Sequence, residues 1–172
     1  MRVSTDYVHI INVYRYISEI AVDPSEIFGE LSFAARKMTN YFDAQIRGHG
    51  LTLSRARALV HLSKPRTWTQ GDLAKELEIE HTTAVRLVDG LEKLNLIERH
   101  PVPGDRRANH LRLTPAAQPH IEAIQEVLEA ARETLLRDIS QEDLEVTIKV
   151  LQKLSKQADA ATQIHSSSRE AL

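Results

Sequence analysis

The chain has 172 residues, 42% of them hydrophobic and 27% charged, with no cysteine and a formal net charge of −2. That length supports one domain with a sizeable core, and the composition is that of an ordinary soluble fold. Disulfides, thiol-based peroxide sensing and cysteine-built zinc sites are excluded; no apolar run approaches a membrane span and no signal-peptide pattern opens the chain, so a cytoplasmic protein is expected.

Residues 1–23 place Val3, Tyr7, Ile10, Ile11, Tyr14 and Ile17 on one face, which predicts an extra amphipathic helix ending before Asp23-Pro24. Its apolar face needs a partner, either a second subunit or another protein; a mis-assigned start codon is a third reading. Asp23-Pro24-Ser25-Glu26 then starts a helix that runs to about Arg47, with Ile27, Phe28, Leu31, Ala34, Ala35, Met38, Phe42 and Ile46 along one side. Gly48 ends it. The next helix spans Thr52 to Ser63, with Leu53, Ala56, Leu59, Val60 and Leu62 inward, and Pro65 closes it. Trp68 is expected in the core beneath a later hairpin.

Thr69 is a good N-cap for a helix from Gln70 to Leu77, with Asp72 completing a capping-box variant. Glu78-Ile79-Glu80-His81 is a short turn, with Ile79 plugging the angle to the next helix. The pair forms a helix-turn-helix. In the second helix Thr82, Thr83, Arg86, Gly90 and Lys93 share one side and Val85, Val88, Leu91 and Leu94 the other. Such a helix sits on a core and leaves Thr83 and Arg86 free for a major groove. Asn95 falls where a left-handed C-cap residue is wanted.

Leu96 to His100 and His110 to Leu113 alternate in polarity, which predicts a hairpin with a long tip over 101–109. Two prolines stiffen that tip, and its adjacent Arg106 and Arg107 are suited to a narrow minor groove, with Asp105 holding Arg107. A solvated Asp-Arg-Arg turn with a weak surface ion pair is the alternative. Thr114-Pro115 opens a long helix bearing Ile121, Ile124, Leu128, Ala131 and Leu135. Ser140, with Asp143 three residues on, caps another bearing Leu144, Ile148, Leu151, Leu154 and Ala158. These stripes are wider than a small core covers, so a dimer is expected. Residues 161–172 read as a frayed polar tail.

The eight histidines are scattered, with no pair at helical ligand spacing, and no glycine-rich phosphate loop or nucleophile elbow is present. No metal, no cofactor and no enzymatic activity are expected. From Ser54 to Arg112 there are 11 Lys plus Arg against 8 Asp plus Glu, a balance of +3; the remainder has 11 against 16, a balance of −5. Positive charge is thus concentrated where the groove contacts are placed.

The runs Gln70-Gly71-Asp72-Leu73-Ala74-Lys75-Glu76-Leu77, Val85 to Leu94, Asp105-Arg106-Arg107 and Leu111-Arg112-Leu113-Thr114 resemble the MarR family of bacterial winged-helix regulators, nearest its SlyA-like branch. The resemblance spans about 25–160. Asn95 stands where the family usually has Gly, and Gly90 where a basic residue is common. The resemblance implies a mainly α winged helix-turn-helix with a small β-hairpin wing, divided into a DNA-binding lobe over about 52–114 and dimerisation helices over about 24–47 and 115–160.

It further implies a homodimer on double-stranded, A·T-rich DNA in the bacterial nucleoid, usually a repressor released by a small aromatic or phenolic anion. His81, Thr82, Thr83 and Arg86 are then the major-groove candidates, with His81 and Thr82 reaching base or phosphate, and Asp105, Arg106 and Arg107 belong to the wing. Arg55, Thr69 and Gln70 would meet the DNA backbone, while Arg36, Arg57 and His61 are candidate partners for an effector carboxylate. A protein-interaction module, or a ligand-independent regulator competing with nucleoid proteins, is the alternative.

Overall fold

A computed structural model describes residues 23–102 and 105–170, without the side chains of 102–108 and 164–170. The amphipathic helix expected before Asp23 lies outside the described residues. The chain divides into two compact units, one ending at Ile124 and the other beginning at Gln125.

In the first unit α1 (Glu26–Arg47) and α2 (Leu53–Leu62) are joined by a turn whose left-handed residue is Gly50, at φ 73°. Thr52 caps α2 by accepting from the Arg55 N–H. A two-residue strand β1 (Trp68–Thr69) leads into α3 (Gln70–Glu76), which turns into α4 (His81–Lys93). Both α3 and α4 end in the same device. Beyond α3, Ile79 N–H donates to the Ala74 carbonyl and Glu78 N–H to that of Lys75; beyond α4, Leu96 N–H donates to Leu91 and Asn95 N–H to Glu92. These are Schellman caps, and their left-handed residues are Glu78 at φ 54° and Asn95 at φ 57°.

Strands β2 (Ile97–Val102) and β3 (Asp105–Leu113) complete an antiparallel sheet of order β1-β3-β2. The expected hairpin is therefore one of three strands: Trp68 is not only beneath it but within the sheet, opposite Leu111. The long loop tip is also corrected. Pairing continues past His100–His110 to Pro101–Asn109 and Val102–Asp105, leaving only 103–104 between the strands. Between those last two pairs β3 advances four residues, from 109 to 105, for one on β2, so Arg106, Arg107 and Ala108 form an irregularity beside the tip. Pro101 is tolerated because β2 is an edge strand.

The core of this unit gathers Leu59, Leu73, Val88, Leu91, Leu96, Ile97 and Trp68, all almost wholly buried. The seated face of α4 is Ala84, Val88 and Leu91 rather than the expected set, since Val85 is half-buried and Leu94 is 46% exposed. A spacing of three residues drifts by 60° per step around a helix of 3.6 residues per turn, whereas 84, 88 and 91 stay on one stripe. A 3-10 turn (Pro115–Ala117) precedes α5 (Gln118–Leu135), whose Ile121 and Ile124 are buried.

In the second unit the end of α5 is followed by α6 (Gln141–Glu170). Ser140 and Asp143 cap α6 reciprocally: the hydroxyl donates to Oδ2 at 2.6 Å and accepts from the Asp143 N–H at 3.1 Å. The helix continues to Glu170, so the frayed tail expected from about 161 is instead helical. No helix among the described residues is long and apolar enough to cross a membrane.

Candidate nucleic-acid interface

The exposed side of α4 carries His81, Thr82, Thr83, Arg86 and Lys93. Glu80, at its N-cap, makes no side-chain cap, so the first turn is held by backbone bonds from Thr83 and Ala84 to the Glu80 carbonyl. Thr82, Thr83 and Arg86 make no side-chain hydrogen bond or ion pair among the described residues and remain open to a ligand. His81 differs, because its Nε2 lies 3.5 Å from the Gln70 carboxamide.

The backbone candidates are more engaged than the sequence suggests. Thr69 and Asp72 form a full capping box: the Thr69 hydroxyl donates to Asp72 Oδ2 at 2.6 Å and accepts from the Asp72 N–H at 3.1 Å, while the Thr69 N–H donates to the same carboxylate. Those bonds, the side-chain one first, hold the Asp72 carboxyl below the ordinary carboxylate range. Gln70 accepts from Arg99 Nη2 at 3.3 Å. Arg99 is the residue that sequence reasoning missed: from β2 it also donates to Asp89 at 2.6 Å and to Glu92, tying the wing strand to α4 and α3. Asp89 and Glu92, three apart on α4, were the available signal.

Arg55 does lie beside α4. With Arg57, Arg86, Thr83 and Ser54 it lines a cleft of about 300 Å3 floored by Leu77, Ile79 and Leu87. Arg57 therefore sits among the groove candidates, and the structure does not bring together the three residues expected for an effector. Arg36 on α1 lies over the Phe33 ring of its own helix at 5.7 Å. His61 faces Glu76, Lys64 and Trp68: its Nδ1 is 3.1 Å from Glu76 Oε1, which also accepts from Lys64 at 3.0 Å. Burial first and the Lys64 charge second push the His61 pKa down, against the pull of Glu76. Arg66 lies over the Trp68 ring at 3.5 Å. Asp105, Arg106 and Arg107 stand at the far end of the wing on β3; their side chains are outside the described residues. Among the described residues no His, Asp and Glu cluster is arranged to hold a metal ion.

Two helices joined by a short capped turn, with the second resting on an antiparallel wing, define a winged helix-turn-helix protein. Residues 49–108 match the family model described as MarR family. The crystal structure of the transcriptional regulator PA3341 is 30% identical, with a TM-score of 0.71 over 78% of this chain and 98% of that one. A probable transcriptional regulator from Pseudomonas aeruginosa is 26% identical, with a TM-score of 0.64 over 74% and 96%. The S. aureus MepR–DNA complex is 24% identical, with a TM-score of 0.67 over 80% and 99%. The chain belongs to the MarR family.

Proposed function

We propose that the protein is a transcriptional repressor that binds an A·T-rich inverted repeat as a homodimer and is released by a small aromatic or phenolic anion. The observation that carries the DNA reading is the open face of α4, where Thr82, Thr83 and Arg86 are exposed and without a side-chain partner among the described residues. A helix presented in this way enters a major groove, with base edges read from its N-terminal half. The MepR relative was crystallised with DNA on the same fold, which supports the assignment.

The homodimer is supported by apolar side chains left open on a single copy: Phe28 is 65% exposed on α1, and Ile27, Leu31, Phe33 and Met38 join it. Val146, Ile148 and Val150 are similarly open on α6. Exposed apolar surface of this extent marks an association face, and in this reading 24–47 and 115–160 pair with their symmetry mates while 52–114 forms the DNA-binding lobe. Recognition helices one helical turn apart, about 34 Å, would dictate the two-fold operator. The protein then works in the cytoplasm at the nucleoid.

A gel-shift titration with the DNA upstream of the protein's own gene, run beside light scattering, tests this. A retarded band from a species of twice the chain mass is expected, and a panel of aromatic acids should weaken it. A monomer that leaves this DNA and selected genomic fragments unshifted overturns the reading.

A further inference from the structure

Gly90 occupies the interior of α4, where glycine is the poorest helix former after proline. The reason for it lies on the neighbouring helix. A Cβ at residue 90 would stand 3.2 Å from Nη2, 3.6 Å from Nε and 3.8 Å from Cζ of Arg55, and these are its three nearest neighbours. The guanidinium of Arg55 thus packs against bare helix backbone that any other residue would cover.

Arg55 is fixed at its own base, since its N–H is the donor that Thr52 caps. Its head group shares the cleft with those of Arg57 and Arg86, beside the hydroxyls of Ser54 and Thr83, and no carboxylate lines that cleft. None of the three guanidiniums forms an ion pair among the described residues. Three like charges converging on one partly apolar cleft repel one another until an anion joins them.

We propose that Arg55, admitted against α4 by the missing side chain of Gly90, clamps a phosphodiester of the DNA strand that borders the groove entered by α4, with Arg57 as the second cation. This rests on the DNA-binding reading above. The Arg55 and Gly90 pair places the backbone-directed charge on α2, while Arg86 on α4 faces the bases.

The test is the salt dependence of duplex binding by the full chain, measured on operator and scrambled DNA for Arg55→Ala, Gly90→Ala, Gly90→Leu and Arg55→Ala/Gly90→Leu. Loss of one phosphate contact lowers the slope of log K against log salt by about 0.9. Arg55→Ala should show that drop with an affinity loss on the order of tenfold on both DNAs alike. Gly90→Leu should reproduce it although Arg55 is retained, and the double variant should be no worse than Arg55→Ala. Gly90→Ala should raise Tm by about 2–4 °C while weakening binding to a smaller degree. Should Gly90→Leu fail to fold, the swap Arg55→Ala/Gly90→Arg serves, because its new guanidinium starts in the space Arg55 vacates and should restore the slope. An unchanged slope in Arg55→Ala, or losses that add independently in the double variant, overturns the clamp while leaving DNA binding intact. A folded wild-type chain that holds no duplex overturns both.

Discussion

Arg99 of β2 sets its Nη2 2.6 Å from Oδ1 of Asp89 on α4, across the seam between the wing and the helix it supports. The same head group donates to Glu92 and to the Gln70 carboxamide, so one side chain joins three elements. A strand at a sheet edge has few other ties to a neighbouring helix. The orientation of the wing relative to α4 therefore depends on this cation.

Arg99→Ala is expected to cost about 1–2 kcal/mol of stability, since it leaves partly buried acceptors unmatched while their exposure lets water compensate in part. A urea-denaturation cycle with Asp89→Ala should give a coupling of about 0.5–1 kcal/mol. Additive losses would show that the contact is structurally incidental. Because the wing is aimed through this contact, Arg99→Ala should also weaken duplex binding more than its stability loss explains.

The two left-handed cap residues should respond differently to glycine. A β-carbon in the left-handed region costs about 1–2 kcal/mol in most residues, and Asn bears it best. Glycine also loosens the unfolded chain, which offsets about 0.4–1 kcal/mol of any gain. Glu78→Gly should therefore stabilise the protein by up to about 1 kcal/mol, whereas Asn95→Gly should be close to neutral and Asn95→Ala should cost about 1 kcal/mol. Thermal melts of the three variants decide this, and a destabilised Glu78→Gly would show that the carboxylate does something in the turn beyond its backbone.

Those caps also mark what was legible in the sequence. The Thr69–Asp72 box, the Ser140–Asp143 cap and the left-handed Asn95 are set by residues within a few positions of one another, and each is found as expected. Features that depend on distant pairing were not legible. The strand at Trp68 is two residues long and exists only because β3 lies beside it, so no alternation announces it. Arg99 meets Gln70 across 29 positions. The seated stripe of α4 was misplaced by one position because Val85 and Leu94 are larger apolar residues than Ala84, and size attracted the assignment that helical phase gives to alanine. In the site itself, Thr83 and Arg86 emerged on an open face as expected, but the capping of Thr69 and the engagement of Gln70 follow from contacts with Asp72 and Arg99.

Stability should fall as the solution is acidified through the ordinary histidine range. His61 has a pKa below its model value of 6.5, chiefly through burial and then Lys64. Between the lowered folded value and 6.5 the unfolded chain binds more protons, so stability rises with pH across that window. It is fully present above 6.5 and lost as pH drops to the folded value. His61→Gln should flatten this part of the curve in urea titrations at successive pH values. Asp72, also lowered, adds a second loss only below its ordinary 3.8, which Thr69→Val should diminish. A His61→Gln protein with the full wild-type slope would place the titrating group elsewhere.

Arg86 and the wing arginines should fail in ways that differ from Arg55. Arg86 projects from the exposed face of α4 without an ion pair among the described residues, two turns before the helix reaches its C-terminal cap. A bidentate contact from such a position to a base edge is worth about 1–3 kcal/mol of discrimination at one base pair. Arg86→Ala should therefore lose affinity on the operator, lose little on scrambled DNA, and tolerate a changed base at one symmetric pair of positions. Arg106 and Arg107 sit beside the wing tip, where a narrow A·T minor groove offers negative potential rather than a unique hydrogen-bond pattern. Replacing both with Ala should weaken A·T-flanked operators more than G·C-flanked ones. The measurement is competition binding at fixed salt with flank-swapped duplexes. An equal loss on all duplexes for Arg86→Ala would reduce that residue to a backbone contact, and indifference to the flanks would remove the minor-groove role of the wing.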